Sequence, residues 1–302
     1  HQQRRGSLSL RGVVFAIVAV IFLFFTFIAG VGCGLLISGE DALSSGDRVA
    51  VLKVEDVILD DQTYLDSITA IKNDSQIKAV VLRIESPGGA VGPSQELYSE
   101  LKRLREEIPV VASIGNVGAS GGYYIACAAE KIYANPGSIT GSIGVVAQFV
   151  SYEKLLAWAM VDVEVIKSGE FKDIGSPFRE MTESDRQYIQ ELIDSVYTQF
   201  KDAVGESRGL DAAQMDKVAE GKIYTGAQAK ELGLVDELGT INDAVDYVAE
   251  SAGITGKPNL VYYPKKKSQL MELLQSKVEI PGITSLPSKA SFGLFYLVDI
   301  IN

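Results

Sequence analysis

The sequence predicts an α/β protein whose mostly parallel sheet is covered by helices, preceded by an apolar membrane segment. Apolar runs of strand length alternate with amphipathic stretches of helical period from Arg48 to Ile114. Glycine-rich turns close two of those runs, at Glu85-Ser86-Pro87-Gly88-Gly89 and Gly118-Ala119-Ser120-Gly121-Gly122. No charged residue occurs from Gly12 to Gly39, which is longer than the roughly 20 apolar residues a bilayer span needs.

Arg4, Arg5 and Arg11 precede that run, and Glu40, Asp41 and Asp47 follow it with only Arg48 among them. The charge bias puts the N-terminus in the cytoplasm and the bulk of the chain outside. A cleavable signal has a shorter apolar core, of about 7–15 residues, so the run reads as a retained anchor. Gly30-Val31-Gly32-Cys33 loosely resembles a lipoprotein acylation site. Gly30 stands where leucine is usual, however, and the apolar run continues past Cys33, which argues against lipidation. The expected layout is a cytoplasmic N-terminus (1–11), an anchor (12–39), a polar linker (40–47), a main domain (48–263) and a tail (264–302).

Within the main domain, Arg48 to Leu59 reads as a strand. Asp60 to Asn73 follows as a helix with Tyr64, Leu65, Ile68 and Ile71 on one face, then Lys78 to Ile84 as a strand, Ser94 to Glu107 as a helix and Ile108 to Ile114 as a strand. This alternation argues for parallel pairing. Tyr123 to Ala129 reads as a packed helix, and Lys131 to Ala134 and Ile143 to Phe149 as short strands. Tyr152 to Met160 is expected to be helical, Val161 to Ile166 is a β-branched run, and Lys167 to Phe178 is a Gly/Pro-punctuated loop. Thr182 to Val204 is a long helix with Thr182 as N-cap and Asp185 in the capping-box position. Asp211 to Val218, Thr225 to Leu232 and Ile241 to Ala252 complete the helices. Lys265-Lys266-Lys267 opens a helix candidate reaching about Lys277, Pro281, Gly282 and Pro287 break regular structure, and Ser291 to Ile301 is apolar but too short to span a bilayer.

Composition narrows the chemistry. The net charge is −11, with 39 acidic and 28 basic residues, and three of the basic ones lie before the apolar run. So acidic a surface repels phosphate backbones, and no nucleic-acid partner is expected. Cys33 and Cys127 cannot form a disulfide framework. With His1 as the sole histidine, no nitrogen- or sulfur-ligated metal site and no cofactor are expected.

Ser120, flanked by glycines at a strand-to-helix turn, is presented as a nucleophile is; a plain glycine turn with a serine N-cap would read the same. Its surroundings satisfy the G-x-S-x-G elbow, but no histidine lies downstream, which excludes a Ser-His-Asp triad. The remaining base is a lysine made neutral by burial. Among Lys131, Lys154, Lys167 and Lys172, the last stands out because Phe171 and Ile174 could desolvate it. Glu170 and Asp173 would hold it charged unless they point elsewhere. Gly88, Gly89 and Gly121 are candidate oxyanion N–H donors, although Ser-Pro-Gly-Gly also suits a simple β-turn.

Four segments in order, Ser86 to Gly89, Gly118 to Tyr124, Ala134 to Val145 and Ser168 to Asp173, together resemble the short-form signal peptide peptidase A family. These are membrane-anchored Ser-Lys proteases of peptidase family S49 on the Clp/crotonase fold. The resemblance covers about residues 48–263. It implies Ser120 as nucleophile, Lys172 as general base, Ser142 orienting the lysine amine and Gly88 as an oxyanion donor; Gly121 is added as second donor by fold analogy. It also implies layered β-β-α units, a homo-oligomer with sites built between neighbours, and apolar remnant signal peptides as substrates, held in a groove near Ile139, Ile143 and Val145. The resemblance assigns no role to the terminal apolar segment, which reads equally as a strand or helix docked on the core, a stretch lying at the membrane surface, or a product-like or self-processed ligand of a peptide groove. An acyl-CoA-handling crotonase would lack the anchor and use carboxylates in its pocket; a non-catalytic scaffold would not need Ser120 and Lys172.

Overall fold

The computed structural model describes residues 19–28, 30, 46–265 and 294–297. The chain forms two compact units, His1–Gly46 and Asp47–Asn302. The described part of the first is a helix, α1 (residues 19–28), whose Phe22, Phe24, Phe25 and Phe27 are exposed. Among the described residues no helix is long and apolar enough to cross a membrane. The expected anchor, 12–39, extends past the described residues at both ends, and Cys33 and most of the tail also lie outside them.

The second unit is built on β1 (Arg48–Glu55), α2 (Gln62–Asn73), β2 (Ile77–Ser86), β3 (Gly88–Ala90), α3 (Val91–Glu107) and β4 (Val110–Ala119). There follow α4 (Gly121–Ala126), β5 (Lys131–Ala134), β6 (Ile139–Gly141), α5 (Glu153–Trp158) and α6 (Glu183–Arg208). The remainder is α7 (Ala212–Val218), β7 (Ile223–Thr225), α8 (Gly226–Glu231), β8 (Glu237–Leu238), α9 (Ile241–Ser251), β9 (Asn259–Tyr263) and β10 (Phe295–Leu297).

The main sheet runs β7-β6-β4-β2-β1-β9, with β5 joining β4 and β8 joining β5. All of its pairings are parallel except β6 with β7. Strand β1 shows why parallel pairing is stable here: Ala50, Leu52 and Val54 enter the core cluster on one face, and Val49 and Val51 enter the cluster on the other, under α9. A strand covered on both faces must be apolar throughout, and this one nearly is.

Strand β4 forks. Val111 to Ile114 pair with β5, and Val117 to Ala119 pair with β6. The fork leaves Ser120 at the C-terminal end of the sheet, beyond three strands that point the same way. Helix α6 starts as expected, with a reciprocal Thr182/Asp185 capping box, and ends at Gly209 with φ 63°.

Three expectations fail. Ile143 to Phe149 is not a strand; Ile139–Gly141 is, because its backbone reaches both β4 and β7, while beyond it only Val146 makes an isolated bridge, to Phe295. Gly88–Ala90, expected as a turn, pairs as a strand. Ile143 is fully buried in the core and lines no groove. Strand β9 went unforeseen, because Asn259–Tyr263 alternates too briefly to stand out beside the loop before it.

Candidate active site

Ser120 closes β4 with φ 52° and caps α4. A serine in the left-handed region is strained, and such strain clusters where a side chain must be presented. The surrounding backbone holds it there. The Ser120 N–H donates to the Gly141 carbonyl (2.8 Å), and the Ser120 carbonyl accepts from the Tyr124 N–H (2.8 Å). The first contact brings the next residue, Ser142, beside Ser120. Ser142 has φ 53° and is fixed through its own N–H to the Lys222 carbonyl (2.7 Å). Both serines are buried.

The glycines meet at the same place. Gly88 has φ 106°, and a Cβ there would collide with the Tyr296 carbonyl and lie 2.7 Å from the Gly121 nitrogen. A Cβ on Gly121 would lie 3.1 Å from the Gly89 nitrogen and 2.7 Å from Ser94 Oγ. Only glycines allow these two backbones to approach so closely. The Gly121 N–H opens α4 and has no intrahelical acceptor, at the positive end of the helix. The Gly88 N–H instead donates to Ser86 Oγ at 3.2 Å, and the Ser86 hydroxyl donates to the Asp56 carbonyl at 2.6 Å. Of the two candidate donors, Gly88 is therefore the one already engaged by a side chain.

A peptide segment lies across this site. Strand β10 pairs antiparallel with β3, with Phe295 opposite Ala90, Tyr296 opposite Gly89 and Leu297 opposite Gly88. On its other edge, Phe295 exchanges both backbone hydrogen bonds with Val146 (3.1 and 3.2 Å). An extended segment paired with a strand on one edge and bridged to Val146 on the other is β-augmentation within one molecule. The Tyr296 ring is fully buried, 5.2 Å from the Tyr124 ring and 4.6 Å from that of Phe200, and its hydroxyl donates to the Val196 carbonyl (3.3 Å). Burial pushes the Tyr296 phenol well up and that of Tyr124 up to about 12, so both stay neutral.

Lys172 stands apart. It lies on a 3-10 turn, Glu170–Asp173, with no buried residue. Its amine has no hydrogen bond or ion pair with Ser120 or Ser142 among the described residues. The expected wall is absent: Phe171 stacks on Tyr188 with centroids 5.1 Å apart. The troublesome carboxylates are engaged elsewhere. Ser184 Oγ donates to Glu170 Oε1 (2.9 Å), while Asp173 accepts from Arg179 and from Lys167, which holds its carboxyl far below the usual range. Cys127 is buried, its thiol pushed up to about 12, and is therefore inert.

A strained serine thus lies near glycine amides at the end of a parallel sheet, with an extended segment of the tail beside it. Residues 102–255 match the profile of peptidase family S49. The chain belongs to peptidase family S49. Relatives agree in kind. A candidate protease of Synechocystis sp. is 45% identical over 213 residues, which are 70% of this chain and 72% of the relative. One of Methanocaldococcus jannaschii is 34% identical over 266 residues, 82% and 85% of the two chains. A candidate signal peptide peptidase of Enterococcus faecium is 34% identical over 236 residues, 78% and 69%. The fold of this S49 peptidase is thus a mixed α/β sheet, and its activity is proteolytic.

Proposed function

We propose that this S49 peptidase is a membrane-anchored serine endopeptidase that cleaves extended apolar peptides, remnant signal peptides among them, with Ser120 as nucleophile and Lys172 as base. The seating of β10 is the observation that carries the reading. An apolar strand of the tail lies in register along β3, with Leu297 opposite Gly88 beside Ser120, as a substrate strand would.

In this reading Ser120 Oγ attacks the peptide carbonyl while its proton passes to the neutral Lys172 amine, oriented by Ser142. The oxyanion is received by the Gly121 N–H, joined by the Gly88 N–H once Ser86 releases it. The protonated lysine then gives its proton to the leaving amine as the C–N bond breaks. Water, deprotonated by the same lysine, hydrolyses the acyl-Ser120 ester.

Lys172 reaches Ser120 from a second copy of the chain. Trp158, Met160 and Ile166 are more than four-fifths exposed on the segment leading to its turn, an apolar surface of the kind that closes against another subunit. Burial there would favour the neutral amine. The exposed phenylalanines of α1 support a bilayer anchor, and Arg4, Arg5 and Arg11 before the apolar run support a cytoplasmic N-terminus with the protease domain outside.

Hydrolysis of a fluorogenic apolar peptide by the purified protein tests the dyad. Ser120→Ala and Lys172→Ala should each lower kcat by about 10³-fold or more. Full turnover in Lys172→Ala would remove the lysine from the mechanism. Mixing the two inactive variants tests the shared site, since a mixed assembly should regain activity that neither variant has alone.

A further inference from the structure

We infer that Arg179 is a positioning residue for the lysine base: through the Asp173 carboxylate it fixes the turn that carries Lys172 and keeps that carboxylate's charge from the amine. The inference rests on Lys172 acting as the base. It concerns a residue that none of the four sequence motifs contains.

Asp173 adjoins Lys172, and a free carboxylate there would hold the amine protonated. Arg179 prevents this with a planar fork. Its Nε donates to Asp173 Oδ2 (2.9 Å) and its Nη2 to Asp173 Oδ1 (2.8 Å), a bidentate pair. The third nitrogen, Nη1, donates to Asp185 Oδ2 (2.5 Å). Asp185 is itself immobile, because it is buried and closes the capping box of α6, a helix anchored in the core through Phe200 and Val204. The guanidinium therefore ties a turn with no buried residue to a rigid helix, a task for which lysine lacks the geometry.

The charge balance is as specific as the geometry. Lys167 Nζ donates to Asp173 Oδ1 (2.7 Å), so the cluster holds two cations, Arg179 and Lys167, and two anions, Asp173 and Asp185. Of the other charged groups about the turn, Glu170 is engaged by Ser184, and Glu180 pairs with Lys154 at 3.7 Å. Turn residues 170 and 171 are fastened to α6 through Ser184 and Tyr188, 173 is held by Arg179 and Lys167, and 172 is left to project.

The pH dependence of kcat/KM on an apolar fluorogenic peptide, at low ionic strength, reads both roles. Arg179→Gln uncovers a carboxylate beside the base, so the acidic limb should move up by about half to one pH unit. Asp173→Asn leaves the two cations facing one anion, so the limb should move down. The double variant should return it towards its starting point. Arg179→Lys keeps the charge without the fork; its limb should stay near that of the parent while kcat falls. A merely structural role predicts lower rates with the limb unmoved in both single variants, and that result overturns the inference. Should Arg179→Gln fail to fold by circular dichroism, the downward limb of Asp173→Asn decides alone. Activity retained in Lys172→Ala would instead refute the dyad itself.

Discussion

The proposed nucleophile and its proposed base sit in two regions that the chain stabilises differently. Ser120 is buried, at the end of β4, between backbone segments that hydrogen-bond or touch one another directly: Gly141, Gly88 and the first turn of α4. Lys172 is exposed, on a turn held by the side-chain charges of Arg179, Lys167 and Asp173. Backbone packing fixes the serine to within a bond's tolerance, at the cost of strain. Charge contacts fix the lysine turn more weakly, but leave it separable from the core. Such a division suits a site whose two halves come together only on assembly.

Alanine at a glycine in each region measures that difference, and the largest effect is expected on the serine side. Gly88→Ala would force a Cβ into the Tyr296 carbonyl and towards the Gly121 nitrogen at a φ of 106°. Strain of about 1–3 kcal/mol should appear as a lower unfolding midpoint, with kcat down by about 10²-fold as the oxyanion amides are pushed apart. Gly169→Ala, just before the lysine turn, meets nothing within 4 Å. It should change stability by less than about 0.5 kcal/mol. Equal losses at the two positions would end the comparison.

A smaller effect on hydrolysis is expected where the tail crosses the serine side. Phe200 is a fully buried residue of α6, and Phe200→Ala should cost about 3–5 kcal/mol. Tyr296 packs on the same ring but belongs to a strand whose partners are β3 and Val146. Tyr296→Ala should therefore loosen that strand more than it unfolds the domain, and peptide hydrolysis should rise several-fold as the groove is vacated. Trimming the chain after Ser291 should do the same. Unchanged kinetics in both would show that the strand does not compete with substrate.

Much of the serine side was legible in the sequence, because glycine spacing and strand-length apolar runs are local signals. Gly88 approaches Gly121, and Ser120 is hydrogen-bonded to Gly141, the neighbour of Ser142. The absence of a downstream histidine was also a matter of counting. Other features were not local. The strand β3 was hidden inside what reads as a Ser-Pro-Gly-Gly turn, because its pairing partner lies some two hundred residues away in the tail. Arg179 carried no motif, and its role depends on Asp185 lying opposite Asp173 once α6 has packed. Only the fact that Glu170 and Asp173 needed other partners pointed towards it. The exposure of Lys172 in the single chain is not legible, since a neighbouring Phe171 and Ile174 say nothing about which way each side chain turns; Phe171 stacks on Tyr188.

Acid stability gives the smallest effect and separates the two regions by mechanism. Hydrogen bonds from Arg179, foremost, and from Thr182 lower the Asp185 carboxyl to about 2 in the folded chain, against an unfolded value of about 3.9. A carboxyl lowered on folding stabilises the fold fully above its unfolded value and loses that contribution as pH falls through its folded one. The window is thus from about pH 4 to about pH 2, and Asp173, lowered for the same reason, adds to it. Asp185→Asn removes the titrating charge, so its unfolding midpoint should lie a few degrees below that of the parent at pH 5 and converge on it near pH 2. Gly88→Ala disturbs no charge, and its deficit should be the same at both values. If the Asp185→Asn deficit also persisted undiminished at pH 2, the lysine turn would owe its position to packing, and the contrast between a backbone-held serine and a charge-held lysine would collapse.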